Sequence, residues 1–194
     1  MQVILRAQLS LGRFVLMGEI GLPAGHYSRY GMYWRLMGDV ESRDYEAACF
    51  KEKEYARRAV DSVIPGDSES EEVHQLTGED HLDGENVYGK TYGWRGTQEG
   101  GYFTYRLAVG ESDEPLALVA RYRVCETGPR QFDVLVDGRT IFTEDLKDNG
   151  RRGFFYREMP IPQELTSGKK DIEVKFAAKP DNIAGGLFGL WLVR

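Results

Sequence analysis

The sequence predicts an all-β protein: a jelly-roll or β-sandwich domain with one connecting helix and a few N-terminal strands from a second, incomplete sandwich. Three observations carry this. Glycine outnumbers proline 23 to 7, and glycine-punctuated, aromatic-rich chains with few helical periods are usually built from strands. From Phe103 to Val193 apolar and polar residues alternate repeatedly at the strand period of two. Between two of those runs stands Asp137-Gly138, a dipeptide suited to the positive φ angles of a two-residue type I′ hairpin turn.

The elements follow in order. Gln2–Leu9, Phe14–Met17 and Tyr27–Leu36 read as strands separated by Gly12, Gly18, Gly21 and Gly25, and residues 1–40 resemble the tail of a larger sandwich. Residues 41–60 read as a helix, because Tyr45, Ala48, Cys49, Tyr55, Ala56 and Ala59 fall near a 3.6-residue period behind Ser42, a candidate N-cap. Glu54 lies four residues before Arg58, a spacing that supports a helix slightly. From Ile64 to Glu99 the chain is polar but carries Val73, Leu76, Leu82, Val87, Tyr88, Tyr92 and Trp94 at intervals, which predicts an ordered, loop-rich entry into the β-domain of residues 61–194. Strands are then expected at Tyr102–Val109, at Leu116–Val124 with one apolar face, at Phe132–Val136 and Arg139–Thr143 around the hairpin, and at Phe154–Pro160, Asp171–Ala177 and Leu187–Val193.

Composition excludes several classes. The 25 basic and 31 acidic residues leave a net charge of −6, opposite to the basic face that nucleic-acid binding requires. No apolar run reaches the roughly 18 residues of a membrane span, and the arginines Arg6 and Arg13 break up the N-terminal apolar runs, so a signal peptide reads poorly. Cys49 and Cys125 form no Cys-x-x-Cys element and share no metal-site spacing with His26, His74 and His81. Reduced cysteines and a cytoplasmic location are the expectation.

Particular motifs in the second half resemble a known architecture. Gly101-Tyr102-Phe103-Thr104-Tyr105, then Phe132 to Gly138, then Pro160-Ile161-Pro162, then Gly168 to Phe176 before a final aliphatic strand, resemble the jelly-roll carbohydrate-binding modules and galactose-binding-like domains appended to glycoside hydrolases. The first half narrows the resemblance. His26-Tyr27-Ser28-Arg29-Tyr30-Gly31-Met32-Tyr33-Trp34, Asp61 to Asp67, Glu71-Glu72-Val73-His74, Trp94-Arg95 and Gly100 to Tyr105 are similar, in order, to the C-terminal region of the β-L-arabinofuranosidase-like proteins, glycoside hydrolase family 127 and its uncharacterised relatives. The resemblance implies catalysis in an α/α barrel carrying a zinc-held cysteine cluster with glutamates, lying before this region. This chain has no adjacent cysteine pair, and 194 residues cannot hold such a barrel beside these strands. The implied role is a non-catalytic accessory module working with plant-type, arabinose-containing glycans. A free carbohydrate-binding domain is the alternative, and a small independent glycosidase comes third. Expected partners are the catalytic barrel or a glycan, with self-association through the unpaired edges of residues 1–37.

Candidate residues follow from chemistry. Trp94, Arg95, Tyr88, Tyr92 and Tyr102 could form a sugar-stacking platform, since aromatic rings offer an apolar face and arginine donates to hydroxyls. The competing role for the aromatic residues is core. His74 with Glu72 resembles an acidic-histidine element of the family, with a turn-fixing role, while Arg29, Tyr30 and Trp34 read as interface or core residues. Cys49 is expected as a buried, reduced thiol on the helix. The acidic run Asp67, Glu69, Glu71, Glu72, Glu79, Asp80, Asp83 and Glu85 invites comparison with a structural calcium site, but it matches no Asp-x-Asp-x-Asp-Gly loop. A solvated acidic face and no cofactor are expected.

Overall fold

The structure is a computed structural model that describes residues 6–9, 12–16, 34–37, 39–87, 91–110, 114–123, 128–146 and 153–194. Strands β1 (Arg6–Leu9), β2 (Gly12–Leu16) and β3 (Trp34–Met37) pair antiparallel in that order. Helix α1 (Asp39–Arg58) follows, then β4 (Ala59–Val63), the short helix α2 (Ser68–Val73), β5 (Thr77–Val87) and β6 (Thr91–Ala108). The remaining strands are β7 (Ala117–Arg123), β8 (Gln131–Val136), β9 (Arg139–Asp145), β10 (Phe154–Pro160), β11 (Asp171–Ala178) and β12 (Gly185–Val193).

The fold is an all-β, jelly-roll-like sandwich whose two layers share one hydrogen-bonded path, β10-β7-β12-β6-β11-β8-β9, with β4 added beside β12 and β5 beside β6. The junction is the long β6. Its Arg95 and Gly96 lie beside β12, whereas Tyr102 to Ala108 pair with β11 in the other layer. Strand β4 takes over the edge of β12 that β6 leaves, pairing Val63 with Leu190.

Alternation explains the core. Phe103, Tyr105 and Leu107 of β6, Phe132, Val134 and Val136 of β8, and Ile172, Val174 and Phe176 of β11 point inward against Leu118, Ala120 and Tyr122 of β7 and Leu190 and Leu192 of β12. Phe103 stacks on Phe176 at 5.0 Å between centroids, and Tyr122 meets Phe132 edge-on at 5.9 Å, geometries that aromatic pairs favour. The hairpin at Asp137-Gly138 is present, with φ of 48° and 80° and Val136 opposite Arg139.

Three expectations change. The helix starts at Asp39, ahead of the Ser42 cap, and stops at Arg58, because Ala59–Val63 is drawn into pairing with β12. The described part of residues 64–99 is not loop-rich: it holds α2, β5 and the first half of β6, and the glycines that read as loop punctuation, Gly84, Gly93 and Gly96, sit within paired strands. Strand β7 is buried on both faces rather than one, since a second cluster of Val119, Trp191 and Val193 packs behind it with Tyr55, Ala59 and Tyr156. That outer cluster lies beneath the C-terminal half of α1. The expected Glu54–Arg58 pair forms at 3.7 Å. No described helix is long and apolar enough to cross a membrane.

Candidate functional site

Strand β6 carries two unlike faces. Arg95 points to the face covered by α2, where it is 6% exposed. Its Nε donates to Glu71 Oε1 at 2.9 Å, its Nη2 donates to Glu71 Oε2, and Nη1 lies 3.2 Å from His81 Nδ1. The Tyr105 hydroxyl donates to Glu71 Oε1 at 2.7 Å. Burial alone would raise the Glu71 carboxyl, but the Arg95 guanidinium, the Tyr105 hydroxyl and the Gly66 backbone outweigh it and hold the group below its ordinary value. The same burial and carboxylate drive the Tyr105 phenol far up. Helix α2 delivers Glu71 because Asp67 caps it, accepting from Ser70 N at 2.9 Å.

Tyr92 and Trp94 share the opposite face. The indole of Trp94 lies across Gly84, its partner on β5, so closely that a Cβ there would sit 2.6 Å from two ring carbons. Gly96 on its own strand is equally bare, with the ring 3.2 Å from where a Cβ would be. Two glycines thus make a floor on which the ring lies half-buried. No described residue accepts a hydrogen bond from its N–H. Leu82, opposite Gly96, is 42% exposed, and Gln98 further along this side is exposed.

Tyr92 extends this face toward β7 and β10, packing edge-on against Phe154 at 5.1 Å. Arg121 of β7 lies beneath them, its Cζ 5.1 Å from the Tyr92 ring, 5.0 Å from Phe154 and 5.7 Å from Trp191, within cation–π range of all three. Its Nη2 donates to the Phe188 carbonyl at 2.6 Å, and its Nη1 lies 3.2 Å from Glu52 Oε1 of α1. Burial pushes the Tyr156 phenol in this cluster up to about 12, against the pull of Arg121.

The expected platform therefore separates. Tyr92 and Trp94 stay together, whereas Arg95 faces the other way with its donors engaged. Tyr102 lies eight residues along β6 in the second layer, up to roughly 26 Å away at strand rise, under the Lys175 ammonium at 3.6 Å. Tyr88, Arg29, Tyr30 and Cys125 lie outside the described residues; so do the side chains of Trp34 and Glu85, whose backbones run in β3 and β5. Glu72 is exposed, and His74 is held instead by Asp61, with Nε2 3.1 Å from Asp61 Oδ1 and Nδ1 2.6 Å from the Ser70 carbonyl. Asp61 also accepts from Ala108 N at 2.7 Å, so the histidine ties α2 to β4 and β6. Cys49 is a half-buried free thiol. Glu71, expected on a solvated acidic face, is buried. Among the described residues no group of three or more His, Cys, Asp or Glu is placed to hold a metal ion.

Sequence reasoning missed Arg121 and its ring of aromatic residues. The available signal was a single cation inside the apolar run Leu118-Val119-Ala120-Arg121-Tyr122.

Known proteins offer limited likenesses. The chain resembles a family 35 carbohydrate-binding module from Clostridium thermocellum, at 15% identity and a TM-score of 0.45 over 68% of this chain and 96% of that one. An exo-β-1,3-galactanase from Phanerochaete chrysosporium gives 15% identity and 0.46 over 63% of this chain and 28% of that one. A family GH115 4-O-methyl-α-glucuronidase with specificity for decorated arabinogalactans gives 16% identity and 0.42 over 58% and 16%. No curated protein matches the sequence. Residues 54–193 match the model of a family of unknown function, DUF6805, and the chain belongs to that family.

Proposed function

We propose that this chain is a non-catalytic, glycan-binding accessory module of a glycoside-hydrolase system, and that Trp94 is its sugar-contacting residue. The observation that carries the reading is the Trp94 indole, laid across Gly84 and Gly96 on an open sheet face with its N–H unclaimed by any described residue. A sugar ring has an apolar face of C–H groups that stacks on such an indole, while its hydroxyls take hydrogen bonds from groups at the rim. Leu82, opposite Gly96, and Gln98, further along the strand, are exposed on the same side. The motif resemblance to β-L-arabinofuranosidase-like proteins makes arabinose-containing plant glycans the first class to test. It also supports a catalytic barrel as the functional partner, with the small β1-β2-β3 sheet as the joint toward it or toward a second copy.

An independent hydrolase draws less support. Glycoside hydrolysis ordinarily uses two carboxyl groups flanking the bond. Of the acidic run, the described side chains other than Glu71 are exposed, and Glu71 is committed to Arg95 and Tyr105.

The test is affinity electrophoresis or calorimetry of the purified chain against arabinan, arabinogalactan, xylan and galactan, with Trp94→Ala and Trp94→Phe alongside. Binding of at least one polymer by the wild type is expected, lost in the Trp94→Ala chain and partly kept in the Trp94→Phe chain at unchanged melting temperature. Undiminished binding by the Trp94→Ala chain would move the site elsewhere. Turnover of aryl glycosides, including β-L-arabinofuranosides, would revive the hydrolase reading.

A further inference from the structure

The family match begins at residue 54, inside α1. Most of that helix therefore lies outside the family's own unit, yet the unit's outer face is built around it. Behind β7 and β12 Arg121 lies under Tyr92, Phe154 and Trp191, and with α1 in place it is 6% exposed. Its own residues supply that guanidinium with neutral acceptors, the Phe188 carbonyl at 2.6 Å and the Tyr156 hydroxyl. Buried Nε has no acceptor at all. A buried cation is costly unless it is paired. The carboxylate that meets Arg121 is Glu52, 3.2 Å away, and it comes from beyond the family boundary. One turn later Tyr55 packs on Tyr156 at 5.3 Å and on Trp191 at 6.4 Å.

We infer that the Arg121 socket is a docking site for a carboxylate-bearing helix, that α1 is its resident occupant through Glu52 and Tyr55, and that the β-sandwich is electrostatically incomplete on this face without one. The chemistry is specific. Three rings lie within cation–π distance of the guanidinium, and the helix adds to them the carboxylate of an ion pair. Helices in proteins take most of their stability from packing of one face, and the C-terminal half of α1 packs its Tyr55 and Glu52 on this one. The inference is independent of the glycan reading.

Hydrogen exchange on the full chain tests it. Glu52→Gln, which keeps the helix propensity and length, should speed amide exchange over residues 47–58 at least tenfold and leave the β8–β9 hairpin unchanged. Arg121→Met should do the same, and the double variant should exchange no faster than Arg121→Met alone, because the two groups act as a pair. Arg121→Lys covers the case in which the methionine chain fails to fold. It retains the charge but not the planar fork, so its helix should exchange at an intermediate rate. A second arm uses a fluorescent peptide of residues 39–58 as the probe. The Glu52→Gln/Tyr55→Ala full chain should bind it, the wild type should not, and the Glu52→Gln peptide should bind at least tenfold more weakly. Unchanged helix protection in the Glu52→Gln chain, additive effects in the double variant, or equal binding of the two peptides would overturn the inference.

Discussion

Arg95 and Arg121 are both 6% exposed and both lie under a helix, but their environments differ in kind. Arg95 meets a carboxylate from α2 in two parallel hydrogen bonds, and Tyr105 shares that carboxylate from below. Every partner belongs to the β-sandwich unit. Arg121 meets rings, a carbonyl and a single carboxylate oxygen brought by α1. The first arrangement is a closed polar network, in which removing one member strands the others. The second sets one ion pair among dispersion and quadrupole attractions, so losing a ring weakens it by degrees, whereas losing Glu52 removes its only described counter-charge. A six-residue helix is thus held by a bidentate charge pair, and the end of a long one by a single ion pair set among aromatic rings.

The largest effect should follow from breaking the closed network. Glu71→Gln leaves the Arg95 cation buried without its counter-charge, and such losses cost about 3–5 kcal/mol. Urea denaturation should show that drop, with a melting temperature lower by about 10 °C for a chain of this size. Trp191→Ala should come close behind. It empties the outer cluster at a residue 8% exposed, and aromatic-to-alanine changes in packed sites cost about 3–5 kcal/mol, reduced here because α1 can settle inward. Arg121→Met should cost much less, about 1–2 kcal/mol, because an apolar chain of similar length replaces a cation among rings. If Arg121→Met proves as damaging as Glu71→Gln, the contrast between the two sites fails.

Acid sharpens the same contrast. The Glu71 carboxyl is held below its ordinary value of 4.5. A depressed folded-state pKa contributes stability that is present above 4.5 and is lost as pH falls through the folded-state value. Stability measured from pH 6 downward should therefore fall below about pH 4.5 in the wild type, and part of that slope should vanish in Glu71→Gln. The alkaline limb is shared by the buried tyrosines, Tyr105 and Tyr122 of the core among them. Tyr156 on the outer face, raised to about 12 from 10.0, contributes stability present below pH 10 and lost as pH rises toward 12, and Tyr156→Phe should remove that share alone. The smallest effect on folding is expected for Trp94→Ala, under about 1 kcal/mol, since the ring lies on the sheet surface over glycines rather than in the core. Its consequence should appear in glycan binding instead.

Particular strands show what was legible beforehand. Strands β8 to β12 were read nearly to their ends: β8 and β11 alternate cleanly, β12 is a run of apolar residues and glycine buried throughout, and Asp137-Gly138 marks its own turn. The first half of β6 was not, because Gly93, Gly96, Gly100 and Gly101 imitate a loop when read locally. Three of those glycines are required by what lies against them, the Trp94 ring at Gly96, the Pro65 carbonyl at Gly93 and the Glu79 carbonyl at Gly101, and Gly100 by its φ of 72°. Strand β7 was read as apolar on one face, since nothing local shows that a helix will cover the other.

By itself the sequence determined the β character, the hairpin, the pairing partners' hydrophobic phase and the candidate aromatic residues, because alternation and turn chemistry act over a few neighbouring residues. The tertiary structure alone decided which way each candidate points. Trp94 and Arg95 are adjacent in sequence, and the pleat sends one to an open face and the other beneath α2. Glu71 looked like one more charge in an acidic run until the chain, 24 residues later, returned with the arginine that draws it inside. Burial and pairing are set by contacts between segments far apart in the chain, and no local pattern encodes them.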